Sequence, residues 1–429
     1  MNKEILRLAI PNIISNISVP LISSVDTALM GRLSELHIGA VGIGAMIFNF
    51  VYWNFGFLRM GTTGMTAQAY GQRSDAAVAH TLGRALLVVL ALGALLLLAQ
   101  RPLGQLSITL MNAEGEQASL VAQYFYIRVW AAPATLGLYA FMGWYFGMQN
   151  AIYPLLLTIA INVVNILLSV YFVEYQGMDV EGVAYGTLIA QYFGLLMAMG
   201  LFLYRYRHYL EHFRLAAVAE WEKLWGFLRV NADIFIRTLC LTGAFGYFYS
   251  QSSAEGAMVL AVNTILLQFL NWMSYGVDGF AYASESLVGK YKGAEQPEQT
   301  KRAVRYSFAW GMGLATLFSL GYGFFGDSLL RLFTNQADVL TAAQPYMFWM
   351  VLLPILGTPC YIWDGVYIGL TASASMRNSM LAAVVVFLLV NGLAGGLGNH
   401  GLWLALLLFL AARGAAQHWL YYRRGLSLE

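Results

Sequence analysis

Apolar runs long enough to cross a lipid bilayer recur from one end of this chain to the other, and nothing else in the sequence limits its fold so strongly. A helix rises about 1.5 Å per residue, so roughly 20 apolar residues cross a hydrocarbon layer about 30 Å thick. Read between charged or Gly/Pro-marked breaks, the runs predict twelve spans, near 5–30, 38–69, 80–100, 118–147, 152–173, 183–206, 224–249, 256–287, 302–324, 340–369, 378–397 and 400–422. Several exceed the minimum and are expected to tilt or to project past the bilayer. Charged residues make up only 11% of the chain, against roughly 25% in soluble domains. The expected fold class is an all-α polytopic membrane protein.

Lysine and arginine crowd the amino terminus, 70–84, 205–229, 289–305, 371–377 and the tail from 423, whereas the alternate loops hold Arg32, Arg101 and Arg331. Basic loops stay on the cytoplasmic side, so both termini are expected there. The segment MNKEILRLAIPN enters the first run without a small-residue cleavage site, which predicts a retained helix. Cys240 and Cys360 lie in apolar segments and are expected to be core residues. Net charge is +2 with no basic domain, so nucleic acid is not an expected partner.

The longest basic linker falls after six spans. It predicts an N-terminal six-helix bundle over 1–206, a cytoplasmic linker over 207–223 and a C-terminal six-helix bundle over 224–429. A repeat supports the division. YFYIRVWAAPATLGLYAFMGWYFG at 124–147 lies on YMFWMVLLPILGTPCYIWDGVYIG at 346–369 without gaps, matching Tyr139 with Tyr361, Gly143 with Gly365, Tyr145 with Tyr367 and Gly147 with Gly369 at an offset of 222. Met142 aligns with Asp364. Parallel repeats are a transporter arrangement, with substrate bound between or within the halves.

Polar residues inside the spans mark candidate sites. Asn12, Asn16, Ser23 and Asp26 form one helical stripe, and an intramembrane carboxylate needs a structural partner or a function. Asn162, Asn165 and Ser169 repeat the pattern without charge. Pro20 leaves the Asn16 carbonyl without its helical donor, making it the expected hinge of helix one. Gln268, Asn271, Tyr275, Asp278, Tyr282 and Glu285 form a second polar face, with Lys290 and Lys292 in reach of Glu285. Asp233 and Arg237, spaced i,i+4, are expected to pair. Arg59 and Arg128 are read as counter-ions or as snorkelling side chains. His208 and His212 are expected to share a solvated helical face. Aromatic and methionine side chains could line a cavity for flat lipophilic cations. The chain lacks a G-x-x-x-x-G-K-[ST] loop, H-E-x-x-H and G-x-S-x-G, which argues against an enzyme and against ATP as the energy source.

VDTALMGRL at 25–33, FLRMGTTGMTAQAYGQ at 57–72, GWYFGMQNAIYP at 143–154, DGFAYASESLVGK at 278–290, CYIWDGVYIG with MRNSM at 360–380 and GNHGLWLALLLFLAARG at 398–414 resemble the multidrug and toxic compound extrusion (MATE) transporters, DinF branch. The resemblance covers essentially the whole chain. It implies two pseudo-symmetric six-helix bundles and export of small organic, often cationic or amphipathic, compounds across the bacterial inner membrane in exchange for protons or sodium. No cofactor beyond the coupling ion is implied, and the expected partners are substrate and bilayer, with the protein a monomer. By position Asp26 matches the family's proton site, and Asn165 and Thr187 match polar residues around it. Ser169 stands where several members carry a second aspartate, which disfavours a sodium site at Asp26. Asp278 and Asp364 match carboxylates of the DinF pattern. With Asn271, Tyr275, Tyr282, Glu285 and Tyr361 they form the expected substrate cavity or second coupling site. Competing expectations are a sodium-coupled exporter and a lipid-linked precursor flippase of the wider superfamily.

Overall fold

The computed structural model describes the backbone of residues 1–30, 34–111 and 113–424, and their side chains apart from those of 19–28, 30, 35 and 424. The helices, in chain order, are α1 (Asn2–Met30), α2 (Glu35–Phe55), α3 (Phe57–Gly71), α4 (Asp75–Leu98), α5 (Gln100–Leu110), α6 (Gly115–Arg128), α7 (Ala132–Gly147), α8 (Ile152–Val170) and α9 (Val180–Tyr206). They continue with α10 (Leu215–Val218), α11 (Trp221–Ala254), α12 (Ala257–Gly293), α13 (Pro297–Phe333), α14 (Ala337–Ala343), α15 (Met347–Gly369), α16 (Ser373–Leu393) and α17 (Asn399–Arg424). Among the described residues, nine helical stretches are long and apolar enough to cross a membrane. With α1, the α6–α7 pair and α11, they fill the twelve expected spans. Only helices satisfy their own backbone polar groups inside hydrocarbon, which is why apolar runs of this length take no other form here. Leu98, Leu167, Phe324 and Leu393 stand exposed, as side chains facing lipid do.

Local signals set where helices start and stop. Ser34 caps α2 by accepting from the His37 amide at 3.3 Å, and Ser74 caps α4 by accepting from the Ala77 amide at 3.3 Å. Four helices end on a non-glycine residue in the left-handed region, Arg73, Gln149, Glu295 and Thr371. Each end closes with paired backbone bonds, such as Asn150 N–H to the Tyr145 carbonyl (2.9 Å) with Gln149 N–H to the Phe146 carbonyl (3.0 Å). Thr371 and Ala372 repeat this bond for bond on Ile368 and Tyr367. Arg73 to Glu295 and Gln149 to Thr371 are both separations of 222, so the offset seen in side chains also governs the backbone.

The chain forms two compact units, a first of Ile14–Phe227 and a second of Met1–Ile13 with Leu228–Glu429. In the first unit, α7 lies so close to α3 that a Cβ at Gly143 would stand 2.4 Å from the Arg59 carbonyl oxygen. In the second, a Cβ at Gly365 on α15 would stand 2.2 Å from the Ala281 carbonyl oxygen of α12. Arg59 and Ala281 are themselves 222 apart. Tyr145 donates to the Ala198 carbonyl of α9 at 2.6 Å, and its counterpart Tyr367 donates to the Gln417 carbonyl of α17 at 2.7 Å. The first amino-terminal turns of α1 pack on α12, where Ala9 and Ile13 meet Gly279 and Glu4 accepts from Lys290 (3.2 Å) and Tyr291 (2.9 Å).

The segment after α9 is a 3-10 turn over Arg207–His212 followed by the short α10, held by a bond from Arg84 to the Ala217 carbonyl at 3.0 Å. The 3-10 geometry corrects the expectation for the two histidines. At three residues per turn, positions four apart no longer share a face. His208 lies on the Tyr209 ring at 4.2 Å, while His212 approaches Asp75 at 3.8 Å.

Candidate functional site

Each unit buries a polar cluster among its helices. In the first, α8 carries Asn165 and Ser169 one turn apart and α9 carries Thr187. Asn165 Nδ2 donates to Thr187 Oγ1 at 2.9 Å, and the Thr187 hydroxyl donates on to the Val183 carbonyl at 3.1 Å. Gly186 makes room for Ser169, since a Cβ there would stand 2.6 Å from Ser169 Oγ. Among the described residues, Asn165 Oδ1 and Ser169 Oγ are buried without a hydrogen-bond partner. A buried polar atom left so costs about 1–3 kcal/mol, so the cluster calls for a further polar group. One turn earlier, Asn162 donates to Ser18 Oγ at 3.2 Å, which sets the polar stripe of α8 against α1. Asp26, Ser23 and Pro20, further along α1, lie outside the residues whose side chains are described.

Two arginines of this unit, expected as counter-ions or snorkelling groups, stand on aromatic rings. Arg59 sits over Phe146 at 5.8 Å. Arg128 bonds the Tyr124 hydroxyl and lies over Phe48 at 5.1 Å. Cation–π contact lets a guanidinium be buried with less loss than an apolar wall would impose.

The cluster in the second unit is charged. Asp364 on α15 accepts from Arg237 of α11 and, on the same oxygen, from Arg413 of α17 at 3.2 Å. Its other oxygen accepts from Gln417 Nε2 at 2.7 Å. All four side chains are buried. Arg413 also lies over the Tyr361 ring at 5.4 Å, so Tyr361 and Asp364, both expected in the cavity, do come together. Asp278 is near enough to act electrostatically on Arg237 and Tyr361, and Tyr275 on Asp278's own helix feels the same carboxylate. The rest of the expected face on α12 is spread along the helix. Asn271 bonds Gln268 at 3.4 Å, Tyr282 is half-buried, and Glu285 is buried with its carbonyl against Gly369. Lys290 bonds Glu4, and Lys292 bonds the Leu370 carbonyl at 3.0 Å.

The expected pairing of Asp233 with Arg237 is overturned. Asp233 accepts from Ser373 at 2.9 Å and from Arg377 of α16, while Arg237 goes to Asp364. An i,i+4 pair is worth a few tenths of a kcal/mol on an exposed helix. Inside a bundle each buried charge needs several partners, and neighbouring helices supply more than a single turn can. Arg413 and Gln417 are not among the residues expected from the sequence. The available signal was that, beside Arg59, Arg128 and Arg237, Arg413 is an arginine set inside an apolar span.

The comparisons agree with this architecture. The MatE family model matches residues 11–171 and 240–395. The chain is 37% identical to DNA damage-inducible protein F of Escherichia coli (strain K12), over 97% of this chain and 93% of that one. It is 24% identical to the probable multidrug resistance protein NorM of Thermotoga maritima over 80% of this chain and 75% of the relative. A crystal structure of a Vibrio cholerae MATE transporter superposes with a TM-score of 0.86, covering 100% of this chain and 97% of that chain at 19% identity. The duplicated helical units, the membrane-spanning length of their helices and the matches over nearly the full chain lead to one conclusion: the chain belongs to the MatE family of multidrug and toxin extrusion transporters and is a multi-pass membrane transporter, not an enzyme.

Proposed function

We propose that this protein is a proton-coupled antiporter that exports organic, often cationic or amphipathic, compounds across the bacterial inner membrane, with both termini cytoplasmic and Asp26 as the proton carrier. The observation that carries the proposal is the bond between Asn162 and Ser18. As the first and fifth of twelve alternating spans, α1 and α8 run in the same direction. Ser169 lies seven residues beyond Asn162 and Asp26 lies eight beyond Ser18, so each stands about 10–12 Å further along its own helix. Asp26 therefore reaches the level of the Asn165–Ser169–Thr187 cluster. On this reading a protonated Asp26 would donate to Asn165 Oδ1 and an ionised one would accept from the Ser169 hydroxyl, two atoms that lack a partner among the described residues. Gain or loss of one proton thus exchanges hydrogen bonds at the contact of α1 with α8 and biases the bundle between two states.

Ser169 leaves this site with a single carboxylate, which suits a proton better than a hard cation needing several oxygen ligands of high charge. At Asp364, by contrast, an arriving cation would meet Arg237 and Arg413. Coupling therefore rests on the first unit. The test is substrate export from proteoliposomes under an imposed pH gradient without sodium. Wild type is expected to transport and Asp26→Asn to be inactive while still folded. Equal transport by both would overturn the role of Asp26, and transport by wild type only after sodium is added would replace the proton with sodium.

A further inference from the structure

In the second unit a groove of about 430 Å³ opens between the first turns of α13 and the last turns of α17. Its rim and its floor differ in character. Lys301 and Arg305, four residues apart on one face of α13, are exposed at the rim. The floor is apolar and aromatic. Trp363 is almost fully buried, with its ring 4.9 Å from Phe308 and 4.8 Å from Tyr421. His418 closes the other lip, 5.5 Å from the same indole. Among the described residues, no carboxylate lines the groove. Glu298 pairs with Lys301 at 2.9 Å, but both side chains are exposed, so the pair holds the lysine only weakly.

The groove's height along the helices says what can reach it. Lys301 is four residues after the start of α13, and Tyr421 is three before the end of α17. Both helices cross the membrane, so the groove lies where hydrocarbon gives way to headgroups. Cations with aromatic rings at that level are the usual partners of lipid headgroups. A soluble phosphate would use the rim and leave the floor bare, whereas a purely apolar ligand would use the floor and leave the cations unmatched. One molecule with a phosphate at one end and an acyl chain at the other uses both.

We propose that this groove binds an anionic glycerophospholipid, with its phosphate between Lys301 and Arg305 and an acyl chain along Phe308, Trp363 and Tyr421. The groove shares no residue with the coupling cluster of the first unit, and its test does not depend on what is transported. Delipidated protein in detergent is titrated with dioleoyl-phosphatidylglycerol and with dioleoyl-phosphatidylcholine, and bound lipid is counted by native mass spectrometry. Each lysine or arginine near an anionic surface is worth about fivefold in binding. Wild type is expected to prefer phosphatidylglycerol, and the double variant Lys301→Ala/Arg305→Ala to lose roughly twentyfold of that preference. Both side chains are exposed, so the variant is expected to fold. Phe308→Ala is expected to weaken both lipids alike by loosening the floor. Equal binding of the two lipids by wild type, a preference kept by the double variant, or complete displacement of the lipid by millimolar inorganic phosphate would each overturn the proposal.

Discussion

Gly143 in the first unit and Gly365 in the second solve the same packing problem, each letting one helix touch the backbone of another, yet the residues just before them are Met142 and Asp364. The frame of the two units repeats down to the left-handed ends at Arg73 and Glu295 and at Gln149 and Thr371. The interior chemistry does not. The first unit buries amides and hydroxyls around Asn165, Ser169 and Thr187. The second buries Arg237 and Arg413 around Asp364. The comparison teaches that helix packing and buried charge are separable. Close approach needs a small residue at a fixed position, whereas a charge needs partners gathered from several helices.

Asp364→Asn should break this contrast with the largest effect. It leaves two buried guanidinium groups facing a neutral amide, and losing one member of a buried ionic cluster costs about 3–5 kcal/mol. Thermal unfolding in detergent should show a large loss, and an unchanged midpoint would mean the second unit does not depend on its charge. Next in size, Gly143→Ala and Gly365→Ala should each destabilise by about 1–3 kcal/mol, because the new methyl meets backbone and not a side chain that can turn away. Equal losses would confirm that the two contacts are equivalent, and a loss at one position alone would show that the repeat has lapsed in packing.

The smallest effect concerns Glu4, just outside the first apolar span. Burial alone would raise its carboxyl, but the Tyr291 hydroxyl and the Lys290 ammonium hold it below its ordinary value. A lowered folded value means the contact stabilises fully above the ordinary glutamate range and fades as the pH falls through the lowered value. Glu4→Gln should therefore cost less than about 1 kcal/mol at pH 7 and progressively less as the pH falls below the ordinary glutamate range, by the same unfolding measurement. A loss as large at low pH would show that the side chain acts through shape and not charge.

Much of this was legible along the chain. The twelve spans follow from apolar length, and the two glycine pairs and the Tyr145–Tyr367 pair at an offset of 222 set helix contacts in both units. The family resemblance expected Asn165 and Thr187 around Asp26 but not their bond to each other, and their separation of 22 residues carries no signal of it. The charged cluster was only half legible. Asp364 stood out by replacing Met142 in the repeat, but Arg413 and Gln417 lie on another helix, and nothing in their local sequence names the carboxylate they bond. For Asp233 and Arg237 the local rule pointed the wrong way, because it considers one helix by itself.

Local and periodic properties were thus decided by the sequence alone. Membrane insertion follows from the hydropathy of successive residues, and duplication follows from a pattern repeated in register. Which charges meet was decided only by tertiary structure. A buried ion is stabilised by the sum of all donors and acceptors around it, and those of Asp364 on α15 come from α11 and α17, while those of Asp233 on α11 come from α16.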